Sequence, residues 1–423
     1  MKDDIFILII ILINIIVCLN PKNNIIDWGI RNGVMISNFI ELSSTKIKKR
    51  FVSNQEIQPK QKLLSIPYNL TFDIEKALNL IEDKDLNSQY EHFKNLDIYS
   101  LEIDNVNSQK EKIFLSYILY LIQHESQLEK TKLFERYKSY IETIKEYFVK
   151  SPLFYTSEQI EYLSGTFLGR TLEKIKMSFL DEIKVFKNES FYKKDLLFRD
   201  YALKRLFLEY NNLELLGHIR LIPFFNYLEN TLRSNARVQI EENGDINIFS
   251  KGKIMKGDII SVYSSRRSNV EKFIFSGEVN PRYINYREKY IIPAFGPGLY
   301  YKYDIDDAEL FKRHNIDLVG KEFYLQAVQL YKNNSLFFKG NDKDSWAYGI
   351  LVENIEFYKN YAETFNKSHI EEIFEDFDDR KNIEIVMKGE AKLLGKAYTF
   401  IKNKFEILKN IENEKKNKKN TDL

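Results

Sequence analysis

Cysteine is almost absent from this chain. Cys18 is the only one, and it lies near the end of an apolar N-terminal run. If that run is cleaved as a signal, the mature chain has no thiol. Disulfides, cysteine-ligated zinc and a cysteine nucleophile are then excluded. His92, His124, His218, His314 and His369 are scattered and show no His-x-x-x-His spacing, so no metal site is assigned. A Gly-x-Ser-x-Gly elbow and a phosphate loop are also missing. There is no excess of one charge: 63 Lys and Arg against 61 Asp and Glu leave a formal net charge of +2. Without a broad field to draw them in, nucleic acid and anionic membrane are not expected partners.

Long apolar runs are scarce as well. Ile5 to Leu19 is interrupted only by Asn14. As a helix it would span about 22 Å, short of a hydrocarbon core of roughly 30 Å. That length suits a signal-peptide apolar region. The flank departs from such signals, since Lys2 is followed by Asp3 and Asp4, and no Ala-x-Ala site follows. A cut near Cys18 to Asn20, an uncleaved anchor and a fortuitous apolar start all stay open. Residues 1–20 are set apart as signal or anchor. The expected destination is the secretory pathway or an organelle reached through it, with membrane anchoring by residues 5–19 as the alternative. Asn-x-Ser/Thr sequons at Asn69, Asn188, Asn333 and Asn366 matter only in a secretory lumen.

What remains is ordinary globular material: 423 residues, 44% hydrophobic and 29% charged, enough for one large domain or two moderate ones. Residues 25–72 break up like short strands, with Val34-Met35-Ile36 and Lys62 to Pro67 as candidates. From Lys110 to Tyr147 the apolar spacing turns helical. Ser151-Pro152 breaks it, and helices resume at Ser157, read as an N-cap, to about Tyr210. Glu242-Asn243-Gly244-Asp245 predicts a hairpin between Ala236–Ile240 and Ile246–Phe249. Gly296-Pro297-Gly298 marks a loop and the expected domain boundary. Residues from about Ile305 to Glu412 read as helical, and Lys415 to Lys419 as a frayed basic tail.

One stretch carries more. Leu221-Ile222-Pro223 is followed by a strand-like segment, Lys256-Gly257-Asp258, Tyr263, Arg267-Ser268-Asn269 and Phe273 to Gly277. That order resembles the C-terminal half of a SET domain, the fold of S-adenosylmethionine-dependent protein methyltransferases. The branch it is most similar to contains the RuBisCO and actin-histidine methyltransferases. Supporting matches are Trp28 and Gly33, Glu56 to Gln61 with Leu63 to Pro67, Tyr140-Ile141, Ser151 to Tyr155, Ile160 to Thr166, and Lys388-Gly389-Glu390 with Leu393-Leu394. The resemblance implies an α+β fold: a SET-like β-rich core over residues 25–295 with a helical insert at about 75–215. A helical substrate-binding-like domain at 299–412 and a tail at 413–423 would follow.

The resemblance also implies roles. Tyr263 matches the catalytic tyrosine, which orients the acceptor nitrogen. Arg205 matches an arginine that contacts the cofactor carboxylate, with Lys204 in place of the preceding Ser or Thr. Lys48, Lys49 and Arg50 stand where the family has its Gly-x-Gly turn beside the methionine end of the cofactor. Asn226, Glu229 and Asn230 stand at the "D-x-x-N-H" positions that anchor adenine. Lys49, Arg50, Arg205, Asn226 and Asn230 are therefore the cofactor candidates, and Phe225, Tyr227, Arg267 and Asn269 the substrate candidates. Core packing is the competing reading for Phe224, Phe225 and Tyr227, half-buried packing at a strand end for Tyr263, and a surface ion pair for Arg205.

Three functions are weighed. In the first, the protein is a methyltransferase for a protein or peptide, expected to be monomeric, with S-adenosylmethionine as cofactor and lysine as the target. In the second it is an inactive SET-like module that binds protein or peptide, motivated by the changed cofactor motifs. The third, a purely helical scaffold, fails if the Ala236–Phe249 hairpin exists, because a hairpin needs a sheet to rest on.

Overall fold

The computed structural model describes residues 25–421 except 45–48, 82–84, 97–105, 125–130, 148, 190, 192–195, 216–217, 232–233, 264–268, 280–288, 292–303, 307–342 and 366. The apolar start, Cys18, Lys48, Arg267 and the Gly296–Gly298 loop lie outside the described residues. The elements run α1 Ile25–Arg31, β1 Met35–Ile36, β2 Ile40–Ser44, β3 Lys49–Ser53, β4 Lys62–Ile66, α2 Ile74–Leu78, α3 Leu86–Asn95, α4 Val106–His124 and α5 Lys132–Lys145. Next come α6 Ser157–Leu163, α7 Phe167–Asn188, α8 Phe198–Asn211, β5 Asn212–Leu215, β6 His218–Leu221, β7 Glu229–Asn230, β8 Ala236–Ile240, β9 Ile246–Ser250 and β10 Ser261–Val262. The chain continues with α9 Asn269–Ser276, β11 Lys289–Ile291, β12 Asp304–Asp306, α10 Lys343–Thr364, α11 Lys367–Ile373 and α12 Phe377–Thr421. This is an α+β chain with small sheets. Two compact units emerge, one from residues 1–148 with 181–265, the other from 149–180 with 266–423. Among the described residues no helix is long and apolar enough to cross a membrane.

The first unit is built on a four-stranded antiparallel sheet in the order β1-β4-β9-β8. The predicted hairpin is β8–β9, in register Ala236↔Ser250 to Ile240↔Ile246. Its turn needs Gly244 at φ +84°, where a side chain would also strike the Tyr68 ring. Asp245 ties the turn to the sheet by accepting from the Tyr68 N–H at 2.8 Å. The helical scaffold alternative is thereby set aside.

Apolar faces draw the helices of this unit together, α4 packing against α2, α3, α8 and the strand β6. The helix α4 buries Ile113, Phe114, Leu115, Tyr117, Ile118, Leu119, Tyr120, Leu121 and Ile122, an almost all-round apolar surface that only a core accommodates. The next helix, α5, is capped by Thr131, which accepts from the Phe134 N–H at 3.3 Å. It buries Phe134, Tyr137, Tyr140, Ile141 and Ile144 at helical spacing. The segment around Trp28, expected to be strand-like, forms the helix α1 instead. Trp28 stacks on Tyr140 with centroids 5.9 Å apart and donates from Nε1 to the Arg136 carbonyl at 2.6 Å. Burial against α5 outweighed the local pattern there.

The second unit is mostly helical. Its α6 helix starts one residue earlier than expected: Thr156, not Ser157, is the N-cap, and it forms a reciprocal capping box with Gln159. Two sequence motifs, Ile160–Thr166 and Lys388–Glu390, meet here. The buried Glu390 carboxylate accepts from the Phe167 N–H with both oxygens at 3.2 Å, placing an anion at the N-terminus of α7. Gly165 is needed at this junction, since a side chain would overlap the Tyr361 ring. The helix α12 runs through the basic stretch from Lys415 to Thr421. Residues 304–306 are a strand rather than helix, paired with β11.

Phe224 is fully buried in left-handed backbone, φ +72°, and its ring lies where a Cβ on Gly29 would come within 2.4 Å. Gly29→Ala is therefore expected to destabilise the protein by ~1–3 kcal/mol through overpacking. Urea unfolding monitored by Trp fluorescence checks this, and an unchanged midpoint would refute the packing argument.

Candidate functional site

Arg50, Asn230 and Tyr263 are brought together in the first unit by a short ladder of backbone bonds. Phe51 of β3 accepts from the Ile260 N–H at 2.9 Å, and Ile260 in turn accepts from the Glu229 N–H at 3.0 Å. Next to it, β7 and β10 pair in parallel, Ser261 opposite Glu229 and Val262 opposite Asn230. The Thr231 N–H closes the pair on the Val262 carbonyl at 3.0 Å. Tyr263 follows directly. It is 47% exposed, as half-buried packing at a strand end also would be.

Asn235 fixes this strand. Its carboxamide oxygen accepts from the Ser261 N–H at 2.8 Å, its amide donates to the Ile259 carbonyl at 2.9 Å, and its own backbone N–H donates to Ser261 Oγ at 3.1 Å. Nothing in the sequence singled out Asn235, because its partners lie beyond the hairpin. Gly257, at φ +87°, makes the turn that brings Asp258 back to β3, where the Ser53 N–H donates to its carbonyl at 2.9 Å.

The charged candidates divide sharply. Arg50 projects from β3 with its guanidinium 3.7 Å from the Glu229 carboxylate, the side chains 15% and 31% exposed. Lys49, its neighbour, is half exposed and only 4.0 Å from Glu146, a surface pair of little energetic weight. Asn230 donates from its amide to the Tyr210 carbonyl at 3.3 Å. Asn226 is buried beside Tyr227.

Arg205 points elsewhere. Its Nε donates to Glu182 Oε2 at 2.9 Å, one terminal nitrogen to Glu182 Oε1 at 3.2 Å and the other to Glu209 Oε1 at 2.9 Å. Glu209 also binds Lys112 at 3.2 Å, and the Tyr201 hydroxyl donates to Glu182 at 2.7 Å. Burial opposes the guanidinium charge, yet Glu182 and Glu209 hold its pKa above the ordinary value. Burial, with Glu182 beside it, raises the Tyr201 phenol well above its usual range. With its side chain 3% exposed and bound to two carboxylates, Arg205 is an internal tie, and its ion pairs are buried rather than on the surface.

Three of the substrate candidates are buried. Phe225 and Tyr227 belong to the core cluster, Tyr227 meeting Phe51 edge-on at 6.0 Å between centroids. Burial raises the Tyr227 phenol, with Asn226 and Thr143 as hydrogen-bond partners. Asn269 is buried at the start of α9 in the second unit. Among the described residues no group of three or more His, Cys, Asp and Glu is placed to hold a metal.

Lys204, at the changed position before Arg205, is 2% exposed and donates to the Ile144 carbonyl at 3.1 Å, near the end of α5. Burial brings its pKa down to about 8, Asp200 partly offsetting and Lys145 adding to the fall. Between about pH 8 and the ordinary lysine value the unfolded chain holds the extra proton, so stability rises with pH across that window. The gain is on the order of 3 kcal/mol, fully reached above the unfolded lysine pKa and absent below pH ~8. Comparing urea midpoints of wild type and Lys204→Met from pH 7 to 11 tests it, and parallel pH curves would contradict it.

The ion network makes a second prediction. Glu182→Ala leaves Arg205 buried with one carboxylate fewer and is expected to cost ~3–5 kcal/mol. Arg205→Met with Glu182→Leu should recover most of that loss, because no unpaired charge remains. Thermal unfolding of both variants decides, and a single variant as stable as wild type would show the network to be dispensable.

Neither a protein-family model nor a curated protein sequence matches the chain. Solved structures do. The SET domain of LSMT bound to lysine and AdoHcy superposes with a TM-score of 0.57 at 14% identity, covering 90% of this chain and 90% of that one. The same domain bound to methyllysine and AdoHcy gives 0.59 at 14%, covering 90% and 91%. Rubisco LSMT bound to AdoMet gives 0.56 at 14%, covering 90% and 91%. Identity this low speaks for architecture alone. The chain has the SET-domain fold.

Proposed function

We propose that this protein is an S-adenosylmethionine-dependent protein methyltransferase acting on lysine in a protein or peptide. The observation that carries the proposal is the parallel register of Glu229–Asn230 with Ser261–Val262, which delivers the half-exposed Tyr263 beside the Arg50–Glu229 edge. The fold neighbours bound to AdoMet, AdoHcy, lysine and methyllysine support the same reading.

The donor set suits such a cofactor. A purine with an amino-acid tail calls for amide or carbonyl partners at one end and paired opposite charges at the other. Asn230 and the backbone of β7 supply the first, Arg50 and Glu229 the second. When bound, the cofactor supplies the transferable methyl group. The Tyr263 hydroxyl accepts a hydrogen bond from the neutral amine and aims its lone pair. Asn235 acts through the strand, holding Ser261 and hence Tyr263 in place. Alignment and exclusion of water, rather than a strong base, do the remaining work. A monomer, and entry to the secretory route through residues 5–19, complete the proposal.

A second reading has its own observation. Arg50 and Glu229 occupy two of the changed cofactor positions and pair with each other, while Arg205 is turned inward. That arrangement also suits an inactive SET-like module that binds a protein or peptide.

Isothermal titration of the chain with S-adenosylmethionine separates them. The methyltransferase reading expects micromolar binding, with Tyr263→Phe keeping the affinity and losing at least ~10²-fold in turnover on a lysine substrate. A folded protein that gives no heat at millimolar cofactor is the binding module instead.

A further inference from the structure

The β1-β4-β9-β8 sheet has two unlike faces. Leu64, Ile66, Ile246 and Ile248 are fully buried on one of them. The other carries Lys62, Phe249 and Arg237 in a single row, because Lys62 and Arg237 both stand opposite Phe249 in the strand registers. Side chains alternate along β9, so Phe249 points away from the face that Ile248 buries. Both cations are exposed, and Phe249 is half-buried between them. The Lys62 Nζ lies 5.4 Å from the ring centroid and the Arg237 guanidinium carbon 5.7 Å. Their strands flank β9, so the ring is held from two sides.

The row carries positive charge without compensation. Among the described residues neither Lys62 nor Arg237 forms an ion pair. Lys251 adds a third charge. Its N–H donates to the Asn235 carbonyl at 2.8 Å, which extends the β8–β9 ladder by one pair and sets Lys251 on the same side as Phe249. Its Nζ donates to the Ser234 hydroxyl, and among the described residues it meets no carboxylate. At the far end of β8, Glu241 is occupied by the amides of Asn247 and Gln239, at 2.7 and 3.3 Å. Three like charges grouped around one ring repel each other, and an anion seated among them relieves that repulsion.

We propose that this face docks an acidic peptide segment of a partner protein, whose carboxylates meet Lys62, Arg237 and Lys251 and whose apolar side chain rests on the edge of Phe249. Charge complementarity selects the partner. In an extended peptide every second residue faces the sheet, so acid, apolar residue and acid at alternate positions match the row Lys62–Phe249–Arg237. Nucleic acid fits less well. A single strand stacks its bases on an open ring face, and here cations cover the ring from both sides. The surface shares no residue with the Arg50, Asn230 and Tyr263 site, and docking does not depend on methyl transfer.

The test is fluorescence anisotropy on the full chain. The probe is a rhodamine-labelled peptide of four Glu-Ser-Leu-Ser repeats. Wild type is expected to bind it saturably, with an affinity that falls as salt rises. Lys62→Glu combined with Arg237→Glu should weaken binding by at least ~10-fold, because attraction becomes repulsion. The same double variant should bind the matching Lys-Ser-Leu-Ser peptide more tightly than wild type does, a charge swap that misfolding does not produce. Lys251→Glu alone should cost about 2- to 5-fold, as one exposed pair does. Unchanged melting temperatures establish that the variants are folded. Wild type that binds no acidic peptide, or binds a Gln-Ser-Leu-Ser peptide equally well, would overturn the docking surface. So would unchanged binding in the double variant, or tighter binding of oligodeoxythymidylate than of the acidic peptide.

Discussion

Two backbone hydrogen bonds, Ile260 to Phe51 and Glu229 to Ile260, are the constraint on which the candidate site depends. They join segments from the beginning and the end of the first unit, with the helices α2 to α5 and α8 between them in the chain. Closing such a long loop costs entropy that two bonds do not cover. The return comes from the core beneath: Phe51, Phe224 and Tyr227 pack ring to ring, and Ile260 is fully buried among them. Apolar burial holds the strands together, and the hydrogen bonds choose their register. Once the register is set, Arg50, Glu229, Asn230 and Tyr263 have no freedom to be anywhere else.

Charge placement in this unit follows burial. The Lys112–Glu209–Arg205–Glu182 chain alternates in sign, and its central members are almost wholly sequestered, so each charge is stabilised only by its neighbours. Such a network adds little net stability but penalises any loss of one partner. The Arg50–Glu229 pair is longer, 3.7 Å, with side chains 15% and 31% exposed. A second-unit counterpart to the buried tie is Glu390, whose carboxylate satisfies an amide at the start of α7 that would otherwise be buried without an acceptor.

Much of the fold was legible in the sequence. The β8–β9 hairpin followed from Asn243-Gly244, the α4 and α5 helices from their apolar spacing, and β4 from Lys62 to Ile66. These are local signals, in which backbone geometry and side-chain period act over a few residues. The failures were also local signals, overruled by distant contacts. Trp28 entered a helix because Tyr140 and Arg136 offered it a buried seat.

By itself the sequence determined the classes of element, the hairpin and its turn, the absence of cysteine chemistry beyond Cys18, and the order of motifs that resembles a SET domain. Tertiary structure alone decided which polar groups face which. Arg205 met Glu182, 23 residues away, and not the exterior. Arg50 met Glu229, and Asn235 came to hold the strand that ends at Tyr263. The reason is physical. Periodicity says which side of an element is apolar, but the partner of a charge is set by what lies across the packed interface, and no local pattern records that.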